Sequence, residues 1–239
     1  MKMANRIIDL GRDLKRLFID WGTYYSSPVR WKLRGWVYTA LFASVVVIAF
    51  RFDEPIRYFF FALHTHFADR LAGYLHWYGT GYATLYVFLG LYLCGLLFNF
   101  PRTRLKGIMV LQAYLYSGLI TISLKSLVGR FRPFAGKGFL AFTPLVAGPN
   151  SHLSFPSGDV AVAFSLSIIL AGFSRNWVWR SVWIIIAMLT SLSRMYYDAH
   201  WFSDVIFSTV NASAAAIWLL RSHEDELVNR PVGSHSEGT

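Results

Sequence analysis

Six apolar segments, each close to the length of a bilayer-spanning helix, are distributed along the 239 residues. About 20 apolar residues cross a bilayer as an α-helix. The segments cover residues 36–50, 75–98, 107–127, 160–173, 182–196 and 202–220. Hydrophobic residues make up 55% of the chain and charged residues only 15%, which is fewer charges than soluble domains carry. The sequence therefore predicts an all-α, polytopic membrane protein with six transmembrane helices.

The basic residues orient these six predicted spans. Of the 23 Lys and Arg, 15 lie in the stretches 1–35, 101–106, 174–180 and 221–239, which an even number of crossings places on one side. By the positive-inside rule that side is the cytoplasm, so both termini are predicted to be cytoplasmic. The net charge of +10 is attributed to anionic lipid and membrane orientation, and nucleic acid is not a predicted partner.

The spans divide the chain into three predicted parts. A basic cytoplasmic segment, 1–35, precedes a six-helix membrane domain, 36–220, and a cytoplasmic tail, 221–239, follows it. Within the domain, residues 51–74 mix charged and aromatic side chains and are predicted to form an interfacial amphipathic helix on the outer face. Residues 128–158, rich in Gly, Pro and Ser, are predicted to form an outer loop, and loops of that length are usually functional.

Neither a disulfide nor a metal site is predicted. The single cysteine, Cys94, lies in an apolar run, which excludes an internal disulfide and any multi-cysteine metal site. His64 and His66 lack acidic or cysteine partners at clear ligand spacing. No metal and no other cofactor is therefore expected.

The first group of candidate site residues comprises cations at the end of an apolar helix. Charged residues at membrane depth are costly and usually functional. Lys125 and Arg132 are seven residues apart, about two helical turns, so they could share a helix face. Pro133 disfavours helix at the residue before it, so Arg132 is expected to begin the exit from the helix. Arg130 lies between them. Without the other motifs, these three cations would be more typical of side chains that mark the membrane interface.

The second group is a short turn, Pro156-Ser157-Gly158-Asp159, that opens directly into an apolar helix. A turn of small residues before a helix leaves backbone N–H groups free, and together with the helix dipole they form an anion site. Taken alone, the pattern is more typical of an ordinary helix start, with Ser157 or Asp159 as the cap.

The third group surrounds a histidine between the last two spans. His200 and Asp204 are one helical turn apart, so the carboxylate could hydrogen-bond the imidazole if the sixth helix begins near Ala199. An imidazole oriented by a carboxylate is the arrangement of a nucleophile or a base. Arg194 precedes them and offers a planar fork suited to phosphate oxygens. The predicted topology brings all three groups to the outer end of adjacent helices.

Together these motifs resemble the type 2 phosphatidic acid phosphatase superfamily, which also contains vanadium haloperoxidases and glucose-6-phosphatase-like enzymes. The matching patterns are K-x6-RP at 125–133, PSG-D at 156–159 and SR-x5-H-x3-D at 193–204. The resemblance implies metal-independent phosphate transfer through a phosphohistidine. His200 would be the nucleophile and Asp204 would orient it. The implied phosphate ligands are Lys125, Arg132, Ser157, Gly158 and Arg194.

One residue departs from the family pattern, because Asp159 stands where the second motif usually has a histidine that protonates the leaving oxygen. Three interpretations follow. Asp159 acts as the acid, its proton retained by repulsion from the substrate phosphate. Alternatively, the leaving group is itself a phosphate and needs little protonation. In the third, Asp159 caps the helix, and His152 or water donates the proton.

The function predicted from these residues is hydrolysis of a lipid phosphate or diphosphate at the outer leaflet of a bacterial inner membrane. The substrate types considered are polyprenyl diphosphate, lipid A phosphate and phosphatidylglycerol phosphate. The predicted partners are thus a phosphorylated lipid and the membrane. Two alternatives stay open, namely phosphate transfer to a second lipid and a non-catalytic protein that binds or transports phospholipid.

Overall fold

The computed structural model describes residues 2–146 and 148–228, and the all-α class is confirmed for them, with one isolated β-bridge between Arg130 and Phe142. Within these residues the chain forms ten α-helices. They are α1 (Lys2–Ser26), α2 (Leu33–Ala49), α3 (Asp53–Phe61), α4 (His66–Tyr78), α5 (Gly81–Leu97), α6 (Pro101–Val128), α7 (Gly158–Phe173), α8 (Trp177–Tyr196), α9 (Phe202–Ser222) and α10 (Glu224–Val228).

Several helices are long and apolar enough to cross a membrane. Among the described residues, three qualify alone, Leu33–Phe61, Pro101–Val128 and Phe202–Ser222, and α4 with α5 forms a fourth candidate that is bent by 49°. The chain is therefore a membrane protein. Four of the predicted segments, 107–127, 160–173, 182–196 and 202–220, lie within single helices, and 36–50 covers most of α2 and the first residue of the 3-10 turn after it. Six spans, the cytoplasmic termini and the three-part division of the chain stay predictions.

The second predicted span, 75–98, is broken rather than straight. Tyr78 ends α4, and α5 begins at Gly81 after Thr80 takes up an extended conformation. The segment predicted as one interfacial helix, 51–74, is also divided, because it contains α3 and most of α4. Residues 62–65 separate those two helices. The first of them continues α2 through a 3-10 turn, so α2 and α3 form one long apolar unit.

Small and polar residues hold α6, α7 and α9 together. In a membrane, helices associate through close packing of small residues and through hydrogen bonds between helices. Ala113 of α6 and Ala215 of α9 are completely buried in the shared apolar core. The hydroxyls of Ser117 and Ser165 lie 2.7 Å apart between α6 and α7, and Asn211 of α9 donates to the Ser117 carbonyl at 3.1 Å. These contacts fix the relative positions of the helices that carry the candidate site.

The predicted N-terminal segment contains a long helix that is joined to α6. Arg104 forms ion pairs with Asp9 and Asp13, each at 2.9 Å. Farther along, Gln112 donates to Asp20 at 2.9 Å. Arg104 and Lys125 are about 30 Å apart along α6, at 1.5 Å per residue, so α1 binds near the end opposite the candidate site. Of the predicted tail 221–239, residues 229–239 lie outside the described residues.

Candidate active site

The three sequence motifs meet at one end of the bundle. Lys125 is in the last turn of α6, Arg194 is in the last turn of α8, and His200 lies two residues before the start of α9. The start of α7 lies against α6, since a Cβ built on Gly158 would be only 3.8 Å from Lys125 Cε. The charges of Arg132, Arg194, Asp159 and Asp204 all act on Lys125. The predicted site residues therefore do come together.

The expectation that Lys125 and Arg132 share a helix face is wrong. Helix α6 ends at Val128, because Gly129 takes up the left-handed conformation with φ of 59°. A side chain at Gly129 would also collide with the Thr143 carbonyl. The chain beyond it is extended at Arg132, as Pro133 requires of the residue before it. The two cations thus reach the site from a helix and from a loop.

Backbone and side-chain oxygens of the outer loop orient these two cations. The Lys125 ammonium donates to the Leu153 carbonyl at 2.5 Å. Arg132 donates through Nε to the Asn150 carbonyl at 2.9 Å and through Nη2 to Asn150 Oδ1 at 2.8 Å. Its Nη1 is 3.4 Å from the Ala199 carbonyl. Among the described residues, neither cation has a close carboxylate partner, so both can neutralise the charge of a bound anion.

The start of α7 has the features of an anion site rather than of a capped helix. Ser157 occupies the N-cap position, but its side chain forms no capping hydrogen bond. Its hydroxyl is fully buried and has no hydrogen-bond partner within the described part of the chain. An unpaired buried hydroxyl is costly, and the free N–H groups of the first helical turn lie beside it. A phosphate oxygen at this point would satisfy both.

His200 is held in one tautomer by a backbone carbonyl. Its Nδ1 lies 2.8 Å from the Ser154 carbonyl oxygen, which can only accept, so Nδ1 donates and Nε2 carries the free lone pair. Asp204 Oδ2 is 3.7 Å from Nδ1, too far for the predicted direct hydrogen bond. Burial, and then the charges of Lys125 and Arg132, lower the pKa of His200 to about 4, although Asp204 opposes this shift. The imidazole is therefore neutral at neutral pH.

Asp204 forms no direct hydrogen bond with His200, because other donors bind its carboxylate. Its Oδ2 accepts from the Trp201 backbone N–H at 2.9 Å and from the Ser154 hydroxyl. Its Oδ1 accepts from Arg130 Nη1 at 2.6 Å. Since the carbonyl of Ser154 binds His200, hydrogen bonds connect Asp204 to the imidazole through Ser154.

Sequence reasoning grouped Arg130 with the other cations and missed its position. The guanidinium is completely buried and contacts two buried carboxylates, Asp204 and Asp53, each at 2.6 Å. Asp53 also accepts from the backbone N–H and the hydroxyl of Ser203, at 2.8 Å each. The available signal was Asp53, three residues after the first apolar segment, because a carboxylate buried there needs a charged partner.

Asp159 faces two basic side chains. Its Oδ2 lies 2.8 Å from Arg194 Nε and 3.5 Å from Nδ1 of His76, which belongs to α4. Arg194, which the sequence predicted as a phosphate ligand, is therefore paired with Asp159 in the structure, and its role as a phosphate ligand stays a prediction. His76 was not among the predicted site residues, because it belongs to none of the three motifs. Within the described residues, no three His, Cys, Asp or Glu side chains converge as metal ligands.

Comparison with known proteins identifies the family. Residues 106–227, which are 122 of the 239 residues and include all three motifs, match the family model of the PAP2 superfamily. The chain belongs to the PAP2 superfamily. The resemblance inferred from the motifs is thereby confirmed.

Two curated PAP2 relatives share about a third of their aligned residues with the chain. An undecaprenyl-diphosphatase of Sulfolobus acidocaldarius is 32% identical over 127 residues, 53% of this chain and 55% of the relative. A lipid A 1-phosphatase of Rhizobium etli is 34% identical over 105 residues, 42% of this chain and 43% of the relative. The chain thus spans about half the length of the curated relatives it matches.

Two crystal structures have the same fold as this PAP2 chain. A transmembrane PAP2 type phosphatidylglycerolphosphate phosphatase from Bacillus subtilis aligns with a TM-score of 0.61 at 19% identity, covering 80% of this chain and 97% of that one. LpxE of Aquifex aeolicus aligns with a TM-score of 0.54 at 20% identity, covering 71% of this chain and 94% of that one.

Proposed function

We propose that this protein is a membrane phosphatase that hydrolyses a lipid phosphate or diphosphate through a phosphohistidine at His200. The observation that carries the proposal is the hydrogen bond from His200 Nδ1 to the Ser154 carbonyl at 2.8 Å. It leaves the Nε2 lone pair available for attack, and the buried imidazole is neutral, as a nucleophile must be.

The substrate phosphate is bound by cations that lack a carboxylate partner, and by hydrogen-bond donors that lack an acceptor, within the described residues. Lys125 and Arg132 neutralise its charge, and the Ser157 hydroxyl and the Gly158 N–H donate to its oxygens. Such fixed donors and cations stabilise the charge that spreads over the equatorial oxygens during phosphoryl transfer. Arg194 joins them and is kept in place by its ion pair with Asp159.

The reaction then proceeds in two displacements. His200 Nε2 attacks phosphorus, and the bond to the leaving oxygen breaks. The positive charge on the phosphorylated ring is balanced by Asp204, and the ring Nδ1–H donates to the Ser154 carbonyl. In the second step water attacks phosphorus, and the bond between phosphorus and Nε2 breaks to release phosphate. The side-chain cations supply the charge stabilisation, so no step requires a metal.

A lipid is the proposed substrate because the site lies at the end of apolar helices and because the curated relatives are lipid phosphatases. The three substrate types are a polyprenyl diphosphate, a lipid A phosphate and a phosphatidylglycerol phosphate. By the positive-inside rule the site faces the outside of a bacterial inner membrane.

The experiment is a phosphate-release assay of the purified protein against a panel of lipid phosphates. The panel comprises undecaprenyl diphosphate, lipid A, phosphatidylglycerol phosphate and phosphatidic acid. We expect release from at least one lipid, complete loss in His200→Ala, and normal rates in His66→Gln, a histidine outside the site. An active His200→Ala variant would exclude the nucleophile. If thin-layer chromatography showed labelled phosphate on an added acceptor lipid, the assigned reaction would be phosphotransfer instead of hydrolysis. No reaction with any lipid would favour a binding protein.

A further inference from the structure

The residue in the position of the family's proton donor is ill suited to donate a proton. Asp159 Oδ2 lies 2.8 Å from Arg194 Nε, and an adjacent guanidinium stabilises the ionised carboxylate. An alkyl lipid alcohol is a poor leaving group unless its oxygen is protonated as the bond breaks. If the substrate is a lipid monophosphate with an alkyl leaving group, the proposed reaction therefore needs another acid near Asp159.

A histidine from a different helix lies next to this carboxylate. Nδ1 of His76 is 3.5 Å from Asp159 Oδ2, within ion-pair distance but longer than a hydrogen bond. That nitrogen is shielded from solvent and has no hydrogen-bond partner among the described residues, while 42% of the side chain as a whole is exposed. A buried, unpaired ring nitrogen beside the phosphate-binding residues needs an explanation.

Close packing holds this end of α4 against the site. A Cβ built on Gly79 would lie 2.9 Å from the Asp159 carbonyl oxygen and 2.9 Å from Thr190 Cγ2. The Thr190 hydroxyl donates to the carbonyl of Leu75, the residue before His76, at 3.2 Å. The position of His76 is thus fixed by both α7 and α8, and only a glycine at 79 permits the approach.

We propose that His76 is the general acid of this enzyme and that Asp159 positions it. The proposal rests on the proposed phosphatase activity. In the first step the His76 imidazolium gives its proton to the leaving oxygen as the bond from phosphorus to that oxygen breaks. In the second step the neutral His76 takes a proton from the attacking water as the bond from phosphorus to His200 breaks. His76 ends the cycle protonated, as it began, and Asp159 keeps its negative charge throughout.

A second histidine has a similar local environment and serves as the matched control. His152 Nδ1 is also buried and without a hydrogen-bond partner among the described residues, but its ring packs on Phe131 with centroids 4.0 Å apart. Within the described part of the chain His152 forms no ion pair with Asp159. Replacing each histidine by glutamine therefore separates the loss of an acid from the loss of a buried ring.

The test uses single turnovers with enzyme in excess, so that only the release of the leaving group is measured. Two probes differ in their need for an acid: phosphatidic acid, which releases an alkyl alcohol, and p-nitrophenyl phosphate, whose leaving group departs unprotonated. We expect His76→Gln to slow release from phosphatidic acid by about 10²- to 10⁴-fold, the usual contribution of a general acid. Release of p-nitrophenol should change little, and His152→Gln should leave the ratio of the two rates unchanged. In the His76→Gln background, Asp159→His should restore part of the rate on phosphatidic acid.

Several results would overturn the role of His76. An equal loss on both probes would make His76 structural. A loss confined to phosphatidic acid in His152→Gln would assign the acid to His152. The same loss in Asp159→Asn, without it in His76→Gln, would assign the acid to Asp159. A wild-type enzyme that hydrolyses no alkyl monoester would have no use for the acid. All these outcomes leave hydrolysis through His200 standing, whereas an active His200→Ala variant would overturn the proposed function itself.

Discussion

Arg130 Nη1 lies 2.6 Å from Asp204 Oδ1, and both side chains are completely shielded from solvent. The other terminal nitrogen of the same guanidinium lies 2.6 Å from Asp53 Oδ2. One buried cation therefore joins the start of α3 to the residue that orients the proposed nucleophile. Because a buried charge is tolerated only when it is paired and hydrogen-bonded, the three residues form one structural unit.

The first prediction concerns this unit. Arg130→Met leaves two buried carboxylates without their cation, and removing one partner of a buried pair usually costs about 3–5 kcal/mol. We expect a lower free energy of unfolding and the loss of lipid phosphatase activity, measured in detergent by thermal unfolding and by phosphate release. The control is Arg57→Gln. Its bidentate pair with Asp198 leaves about a quarter of each side chain exposed (26% and 23%), so its loss should cost less than the loss of the fully buried pair. Equal destabilisation by the two variants would contradict the prediction.

The second prediction separates binding from stability at Ser157. Its hydroxyl is buried and unpaired, so Ser157→Ala leaves no partner unsatisfied, and the free energy of unfolding should stay the same or rise slightly. The substrate phosphate loses a donor, and phosphate release should slow by about 10- to 100-fold, the effect of about 1–3 kcal/mol.

Ser165→Ala is the matched control for Ser157→Ala. The Ser165 hydroxyl lies 2.7 Å from that of Ser117, far from the site, so its removal leaves a buried hydroxyl with one partner fewer. We expect this variant to lower the melting temperature and to keep the phosphate-release rate of the folded fraction. A Ser157→Ala variant that unfolded more easily but retained full activity would show that the hydroxyl has a structural partner rather than the substrate.

The sequence was sufficient to predict the apolar helices that carry the candidate site and the convergence of the three motifs, but not the long N-terminal helix α1. Apolar length and the positions of Lys125, Arg194 and His200 at the ends of apolar runs carry that information locally. The same local patterns could not predict that Asp204 reaches His200 through Ser154. The spacing of four residues suggests a direct bond from His200 to Asp204, but Arg130 and Ser154, which are distant along the chain, donate to the carboxylate instead.

The break between α4 and α5 and the position of His76 were not predictable for a related reason. Residues 75–98 read as one apolar helix, and nothing in them records that Gly79 must approach Asp159 and Thr190 closely. The partners of His76 lie more than 80 residues away along the chain. Contacts of this kind arise from tertiary packing. A motif search therefore finds the proposed phosphate ligands but not His76, which lies next to Asp159.

The third prediction concerns the protonation of His200. Burial lowers its pKa to about 4, so the imidazole stays neutral as the pH falls through its ordinary range and becomes cationic only near pH 4. In substrate-free protein, ¹⁵N NMR of the histidine rings should show one neutral ring, protonated at Nδ1, that titrates near this value. His200→Asn should remove this signal. Titration of that ring near 6.5, the value of an exposed histidine, would contradict the lowered pKa. A neutral ring protonated at Nε2 would contradict the proposed tautomer.

The fourth prediction concerns the stability of the contact between α1 and the chain after α9. Burial opposes protonation of His223, but hydrogen bonds to Asp20 and Glu226 raise its pKa above the ordinary value. His223 Nε2 lies 3.0 Å from Asp20 Oδ2, and Nδ1 lies 3.2 Å from Glu226 Oε1. A raised pKa in the folded state stabilises the fold fully below about pH 6.5, and this contribution is lost as the pH rises through the folded pKa.

His223→Gln tests this dependence. The melting temperature of the wild-type protein should exceed that of the variant near pH 6, and the difference should shrink as the pH approaches 9. The pKa of Asp20 is lowered by His223 and Gln112, although burial acts in the opposite direction. The stabilisation should therefore also decline in acid, once Asp20 is protonated. A difference that stayed constant from about pH 5 to pH 9 would mean that His223 contributes through packing alone.

The fifth prediction concerns Gly79, whose missing side chain lets α4 approach α7. In Gly79→Ala the new methyl group would meet the Asp159 carbonyl oxygen and Thr190 Cγ2, both at 2.9 Å, so the end of α4 must shift away. Since His76 is three residues earlier in the same helix, release from phosphatidic acid should fall more than release from p-nitrophenyl phosphate. Gly73→Ala is the control, because its methyl group would meet only the Tyr197 hydroxyl at an ordinary 3.5 Å. Adding Thr190→Ser to Gly79→Ala removes one of the two contacts and keeps a hydroxyl for the Leu75 carbonyl, so part of the lost rate should return. Equal losses on both probes in Gly79→Ala would show that the packing of α4 matters for the fold and not for proton transfer.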